Sequence, residues 1–205
     1  MITLLFLIQS SFAFNPFEVH EVLKKEFRQE LADQGVHDFQ FLLNLKSPDN
    51  LGGASRNSGN ATLMIGSDYF FSNSKNQLNL EQFLFIYCHE LGHFIGGAPF
   101  KKNPGSTWAS TEGQADYWAT SVCLRRTLKL SSAEYLKKVS ELSLEFFKKM
   151  REMIGPQASQ LEFYDLPSSS KVETKKFNSE YVSFQCRYEI HMAGANSAPP
   201  PACWQ

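Results

Sequence analysis

The chain has 205 residues, of which 42% are hydrophobic and 20% are charged, and its formal net charge is −1 at pH 7. This length and composition predict a single globular domain with a sizeable hydrophobic core. The near-neutral charge leaves no basic stripe that could follow a phosphate backbone, so we expect no nucleic-acid partner.

The N-terminal segment is apolar and ends in small residues. Residues 1–13 close with Ser11-Phe12-Ala13, a small-x-small pattern typical of signal-peptide cleavage sites. We therefore predict a signal peptide over residues 1–13 and one mature domain over residues 14–205; a short buried N-terminal strand is the alternative. No other segment has the roughly 18 consecutive apolar residues that a bilayer span requires, so we expect no transmembrane segment after processing.

A helix and two strands are predicted next. Asn15-Pro16 has the form of an N-cap followed by proline at the first helical position, and apolar residues then recur at helical spacing up to Gly35. Phe39 to Leu45 and Thr62 to Gly66 are predicted strands. The Gly/Ser/Asn-rich stretch Leu51 to Asn60 between them predicts a loop.

A central helix carries the most informative motif. Asn79 with Gln82 three residues later predicts its N-terminus, and Gly96-Gly97 predicts its end. The helix contains His-Glu-Leu-Gly-His, with His89 and His93 at positions i and i+4. One helical face therefore presents both imidazoles to a single metal ion.

Glu90 projects from nearly the same side of that helix and can act as a general base towards water activated by the metal. A second helix, capped by Ser110 or Thr111, carries Glu112 and Asp116, again four residues apart. Such a pair suits a third metal ligand followed by a carboxylate that accepts the free N–H of a ligating imidazole. The alternative is that both acids lie in a solvated first turn, where the helix dipole favours negative charge.

The loop Phe100 to Ala109 between these helices is polar and is expected to border the cleft. Ser131 and Glu134 form a capping box that opens a further helix, ending at Gly155-Pro156. We predict that the apolar stripe of this helix is core packing: Tyr135, Val139, Leu142, Phe146 and Met150. Pro156 to Ser183 carries few signals.

Four cysteines are typical of an exported protein with one or two disulfides. A bond between Cys186 and Cys203 would pin the Pro-rich C-terminal tail, residues 186–205. Cys88 and Cys123 either bridge the two helices of the site or remain buried free thiols.

His-Glu-x-x-His followed by Glu-Gly-Gln-Ala-Asp resembles the gluzincin metallopeptidases of the thermolysin-like clan, and the Glu-x-x-Ala-Asp form is closest to their HtpX-like branch. The resemblance implies a small zincin fold of the α+β class, mostly helical, with a short sheet beside the motif helix. It also implies one zinc ion per chain, bound by His89, His93 and Glu112, with Glu90 as general base and Asp116 as partner of a ligand histidine.

Two further roles come from the same resemblance. An edge strand preceding the zinc helix would hold the substrate backbone as an added strand, which assigns substrate binding to Thr62, Leu63, Met64 and Ile65; an ordinary sheet strand is the alternative. A donor to the oxyanion is also required. The candidates are Arg187, whose region resembles that branch without its His-Pro motif, then Tyr188 and His191.

The expected function is therefore a zinc-dependent metalloendopeptidase that acts on peptides or proteins by Glu-assisted attack of zinc-bound water. An exported peptide-binding module with a non-catalytic zinc site is one alternative, and a zinc amidase acting on cell-wall material is another. The expected location is the periplasm or the exterior of a bacterial cell.

Overall fold

The computed structural model describes residues 14–47, 51–71, 77–154 and 183–204. The elements in chain order are α1 (Pro16–Glu26), α2 (Arg28–Asp33), β1 (Asp38–Asn44), β2 (Gly53–Asn57), β3 (Asn60–Gly66), α3 (Asp68–Phe71), α4 (Leu80–Ile95), α5 (Glu112–Trp118), a π-helical turn (Ala119–Cys123), α6 (Leu124–Leu128), α7 (Ser132–Ile154), α8 (Phe184–Ala195) and a 3-10 turn (Ala202–Trp204). Helices predominate beside one small sheet, so the predicted α+β class is confirmed. The predicted signal peptide and residues 155–182 lie outside the described residues.

The first helix begins where the sequence predicts. The Asn15 side chain accepts a hydrogen bond from the Phe17 backbone N–H at 3.0 Å, and Pro16 occupies the first helical position. The predicted single helix is divided at Phe27 into α1 and α2. Leu23, Phe27 and Leu31 still share a buried face, because the short break preserves their helical spacing.

The sheet has three strands in the order β1-β3-β2, with β1 parallel and β2 antiparallel to β3. The prediction of a loop over Leu51 to Asn60 is wrong for Gly53–Asn57, which forms β2. This strand has small, half-exposed side chains that give no apolar alternation. It is held by pairing with β3 across the turn at Ser58 and Gly59, where φ is +47° and +88°.

Strand β3 lies in the centre of the sheet. The prediction that Thr62, Leu63, Met64 and Ile65 form an edge that binds substrate is therefore wrong. These residues pair with β1 on one side, and all but Ile65 lie opposite residues of β2 on the other. Their backbone hydrogen-bonding groups are used within the sheet, so an added strand has no edge to join. The exposed edge on this side of the sheet belongs to β2.

Helix α4 crosses the middle of the molecule, and every side chain from Phe83 to Phe94 is buried. The Asn79 and Gln82 side chains each accept a hydrogen bond from the other's backbone N–H, which completes the predicted capping box. At Gly92 the helix approaches α5 closely: a Cβ at this position would lie 2.9 Å from the Ala115 carbonyl oxygen. The glycine inside the motif thus allows the two helices of the site to pack together.

The predicted apolar stripe of helix α7 packs on the hydrophobic core. Tyr135, Val139 and Leu142 are buried in the core. Phe146 and Met150 are partly buried and pack against that core, and they also line the cleft described below.

Both disulfides are formed, which confirms the prediction of disulfide bonds. Cys88 and Cys123 join α4 to the π-helical turn, with their Cα atoms 5.7 Å apart. Cys186 and Cys203 join α8 to the C-terminal tail, with Cα atoms 6.0 Å apart. Two disulfides are typical of proteins that fold in an oxidising environment. Among the residues that the structure describes, no helix has the length and apolarity of a membrane span.

Candidate metal centre

His89 and His93 lie on the last turns of α4 with their ring centroids 4.8 Å apart. His89 Nδ1 is 2.7 Å from Asp116 Oδ1, and His93 Nδ1 is 2.8 Å from the Ser110 carbonyl oxygen. Because both partners can only accept, each ring donates from Nδ1. This arrangement leaves Nε2 of each ring as the nitrogen that can face a metal.

Both Nε2 atoms face the carboxylate of Glu112. The distance to Glu112 is 3.2 Å from His89 Nε2 and 3.5 Å from His93 Nε2. Glu112 and Asp116 are 6% and 1% exposed, so the alternative in which they decorate a solvated helix turn is wrong. Thr111 caps α5 by accepting a hydrogen bond from the Gln114 backbone N–H. This cap fixes the turn that directs Glu112 towards the histidines.

These side chains could hold a metal ion. One ligand atom each from His89, Glu90 and His93 lies within 4.8 Å of the others, and all three residues are buried. The carboxylate of Glu112 adds oxygen atoms within 3.5 Å of both imidazoles. Imidazole nitrogens with carboxylate oxygens suit a divalent first-row transition metal.

The protonation of the two histidines differs. Burial lowers the pKa of His93 to about 4, although the Glu112 carboxylate opposes this shift, so the ring is neutral. Burial also acts to lower the pKa of His89, but Asp116, Glu112 and Glu90 outweigh it and raise that pKa to about 10. Without a metal, His89 therefore holds a proton that a metal ion must displace.

Glu90 lies beside these ligands, next to the chain that enters β2. A Cβ at Gly52 would overlap the Glu90 carboxylate, so a larger residue there would displace this side chain from its present position. Burial raises the pKa of Glu90 to about 7, with a further contribution from the negative charge of Glu112. A carboxyl group with such a pKa can accept and release a proton near neutral pH.

Asp116 is the centre of a buried hydrogen-bond cluster behind His89. Arg187 donates to it from Nε at 2.6 Å and from Nη2 at 2.8 Å, and His191 Nε2 lies 3.0 Å away. Burial would raise the pKa of Asp116, but the charge of Arg187 and the neighbouring imidazoles hold it well below its usual range. The carboxylate thus stays ionised and orients His89.

The candidate oxyanion donors occupy three different environments. Arg187 Nη2 is 3.5 Å from His89 Nδ1, which places this part of the guanidinium on the side of the ring away from Nε2. The Tyr188 hydroxyl is 3.0 Å from Ser140 Oγ. His191 is 1% exposed, and its Nε2 contacts Asp116. Arg187 reaches the cleft wall, whereas Tyr188 and His191 are not part of that wall.

A cleft of about 360 Å³ opens over the cluster. Its walls come from the start of β2, from α4, from α7 and from the loop between α4 and α5: Leu51, Gly52, Gly53, Ala54, Ile86, Lys101, Ser106, Trp108, Ala109, Phe146, Met150 and Arg187 surround His89, Glu90, His93 and Glu112. The predicted position of the loop Phe100 to Ala109 beside the cleft is confirmed. Trp108 is fixed there by stacking on Phe94, with ring centroids 5.2 Å apart.

Two residues of the site were not anticipated. Lys101 Nζ lies 2.8 Å from Glu112 Oε1, with 19% of its side chain exposed. Gly52 accommodates Glu90, as described above. The sequence carries a weak signal for each: a lysine in a loop expected to border the cleft, and a Gly-Gly pair ahead of a strand.

Comparison with known proteins finds no matching family model, no similar curated protein and no similar solved structure. The gluzincin resemblance therefore rests on the motif residues of this chain.

Proposed function

We propose that this protein is a zinc-dependent metalloendopeptidase. The observation that carries the proposal is the orientation of the two motif histidines. Both donate from Nδ1 to buried acceptors, and both direct Nε2 at Glu112 inside an open cleft that also contains Glu90. Two nitrogens and one carboxylate, with space for a further ligand, match the donor set of catalytic zinc sites rather than closed structural ones.

In this proposal His89, His93 and Glu112 bind one zinc ion. Bound zinc would lower the pKa of a water molecule and polarise a carbonyl group. Glu90 takes a proton from the attacking water on its carboxylate. As the C–N bond of the substrate breaks, Glu90 returns that proton to the leaving amine nitrogen.

The substrate is expected to be an extended peptide that pairs with the edge of β2. Gly52, Gly53 and Ala54 line the cleft at the start of this strand, and the opposite edge of β2 is already paired with β3. Main-chain hydrogen bonds along an exposed strand edge give affinity with little dependence on side chains. This assignment replaces β3 with β2 as the peptide-binding strand.

The proposed location is outside the cytoplasm, in the periplasm or the surrounding medium. The two disulfides support it, because such bonds persist in oxidising compartments.

The test uses the full chain, expressed with its disulfides formed, together with Glu90→Gln and Glu112→Ala. Elemental analysis measures zinc, and an extended-peptide library measures cleavage. We expect about one zinc per chain in the wild type and in Glu90→Gln, and strongly reduced zinc in Glu112→Ala. Glu90→Gln should lower kcat by roughly 10²–10⁴-fold, the usual contribution of a general base.

The outcomes separate the alternatives. A wild-type protein that binds no zinc after metal is added would overturn the metal site. A zinc-loaded protein that retains peptides without cutting them would be a binding module. One that cuts peptidoglycan amides and spares peptides would be a cell-wall amidase. Cleavage by Glu90→Gln at the wild-type rate would remove Glu90 from the mechanism.

A further inference from the structure

Lys101 is held in a fixed position beside the metal centre. It lies at the base of the loop that joins α4 to α5, where its backbone N–H donates to the Ala109 carbonyl at 2.8 Å. The neighbouring Phe100 forms an antiparallel bridge with Ser110, and the Ser110 carbonyl accepts from His93 Nδ1. The backbone of Lys101 is therefore tied to the same segment that orients a metal ligand.

The side chain of Lys101 points into the site. Its Nζ is 2.8 Å from Glu112 Oε1, and the residue lines the cleft together with Glu90. Glu112 Oε1 is in turn 3.5 Å from His93 Nε2. The ammonium of Lys101 is therefore hydrogen-bonded to the Glu112 carboxylate, which both imidazoles face. It lies on the side of the site that opens into the cleft.

This position does not favour metal binding. A cation hydrogen-bonded to a ligand carboxylate draws charge from that ligand, and it repels a divalent ion bound close by. The ammonium therefore lowers the affinity of the site for metal. A cation in this position is therefore better suited to act on a ligand that enters the cleft than to hold the metal.

The other candidate donors to the oxyanion already contact residues outside the reacting side of the metal centre. Two N–H groups of Arg187 are bonded to Asp116 behind His89, and His191 contacts the same carboxylate. The Tyr188 hydroxyl is bonded to Ser140. Within the described part of the chain, Lys101 is the cleft residue that brings a flexible ammonium next to the ligand carboxylate.

We propose that Lys101 is a catalytic residue that donates a hydrogen bond to the scissile carbonyl oxygen as negative charge develops on it; this inference rests on the proposed peptidase function. When water adds to the carbonyl carbon, a new C–O bond forms and the π electron pair moves to the carbonyl oxygen. The proton of the water goes to Glu90. When the C–N bond breaks, the C=O double bond is restored, the proton passes to the amine, and Lys101 keeps its own protons throughout.

The test compares Lys101→Met and Lys101→Arg with Lys102→Met, a matched control because Lys102 is the adjacent lysine and is exposed. Three quantities are measured on the zinc-loaded full chain: kcat and KM on a cleaved peptide, zinc affinity by chelator competition, and affinity for a phosphonate peptide that mimics the tetrahedral state. We expect Lys101→Met to lower kcat by roughly 10²–10³-fold, the usual effect of losing one oxyanion donor.

In the same variant KM should stay within about threefold of the wild type, because the interaction forms only in the transition state. Phosphonate affinity should fall by at least about tenfold, while zinc affinity should be unchanged or higher. Lys101→Arg should recover part of the loss, and Lys102→Met should behave as wild type.

Weaker zinc binding by Lys101→Met would overturn the inference, since it would show a role in holding the metal. A higher KM with unchanged kcat would also overturn it, since Lys101 would then anchor a substrate carboxylate. If wild type and Lys101→Met cleave equally well, only the inference about Lys101 fails. If the zinc-loaded wild type neither cleaves peptides nor binds the phosphonate, the peptidase proposal fails and the role of Lys101 fails with it.

Discussion

Replacing Arg187 with methionine should damage both the fold and the metal centre. Methionine keeps much of the length and apolar contact of arginine but removes both hydrogen bonds to Asp116, at 2.6 and 2.8 Å. Asp116 is 1% exposed, so solvent cannot replace the lost partner. The carboxylate is then left with the imidazoles of His89 and His191 as partners, and the His89 ring carries a positive charge in the metal-free protein.

The magnitude follows from the burial of this pair. Breaking a buried ion pair from one side costs about 3–5 kcal/mol, which agrees with two charge-assisted hydrogen bonds at about 1.5–3 kcal/mol each. His191 reduces the stability lost when Arg187 is replaced. Burial lowers its pKa, and the charge of Arg187 contributes to that shift, so without Arg187 the ring gains a proton more readily and supplies a positive charge to Asp116. We therefore expect the free energy of unfolding to fall by about 3 kcal/mol, near the lower end of that range.

The assay is urea unfolding of the metal-free protein with disulfides intact, followed by tryptophan fluorescence, beside zinc affinity from chelator competition. Zinc affinity should fall by about 10–100-fold, as is usual when the partner of a ligand histidine is disturbed. The matched control is Arg126→Met, because Arg126 pairs with Glu30 at the surface with side chains 44% and 35% exposed. That change should cost less than about 1 kcal/mol and leave zinc binding unaltered.

Arg187→Lys should restore only part of the stability and zinc affinity that Arg187→Met loses, since one ammonium cannot reproduce the paired donors of a guanidinium. If Arg187→Met lost no more stability than Arg126→Met and bound zinc like the wild type, Asp116 would not depend on Arg187. The account of the buried cluster would then be refuted.

Three further predictions concern the general base Glu90 and the metal ligands. Gly52→Ala should lower kcat by at least about 100-fold with zinc retained, because the new Cβ displaces Glu90; equal turnover would contradict this. Gly92→Ala should instead weaken zinc binding and cost about 1–3 kcal/mol, because it pushes α4 from the Ala115 backbone that precedes Asp116. In the metal-free protein, the pKa of Glu90 rises from 4.5 to about 7 on folding, so its contribution to stability is lost as pH increases through that window. In urea unfolding, the free energy of unfolding of Glu90→Gln relative to wild type should therefore increase as the pH is raised from 5 to 8. A difference that does not change with pH would contradict the raised pKa of Glu90.

The parts of the site that the sequence predicted correctly depend on local geometry. His89 and His93 share a helical face because of their spacing alone, and the cap at Asn79 fixes where that helix begins. Glu112 and Asp116 are likewise one turn apart, and each contacts an imidazole of the motif. These positions required only that both helices form and pack against each other.

The features that were predicted wrongly or not at all depend on contacts between residues far apart in the sequence. The place of β3 in the sheet is decided by its pairing with β1 and β2, and no pattern within Thr62 to Ile65 records it. The partner of Arg187 lies 71 residues away along the chain. Nothing in the sequence distinguishes the adjacent lysines Lys101 and Lys102, yet Lys101 contacts Glu112 whereas Lys102 is exposed. A helical stripe also cannot show that its last residues, Phe146 and Met150, face a cleft.

The charges of the site give a reason for metal binding that does not depend on the motif. Three buried carboxylates, those of Glu90, Glu112 and Asp116, lie among the cations Lys101, Arg187 and, in the metal-free protein, the protonated His89. After burial itself, the charge of Glu112 is the main influence that raises the pKa of Glu90, so the metal-free site resists the ionisation of Glu90. Burial would also raise the pKa of Glu112, but the hydrogen bond to His89 and the neighbouring positive charges outweigh it and hold that pKa well below its usual range. A divalent cation beside the two glutamates would offset the repulsion between them and favour the ionised form of Glu90. Because a bound ion would favour ionised Glu90 and displace the proton of His89, metal binding is coupled to pH and to folding stability.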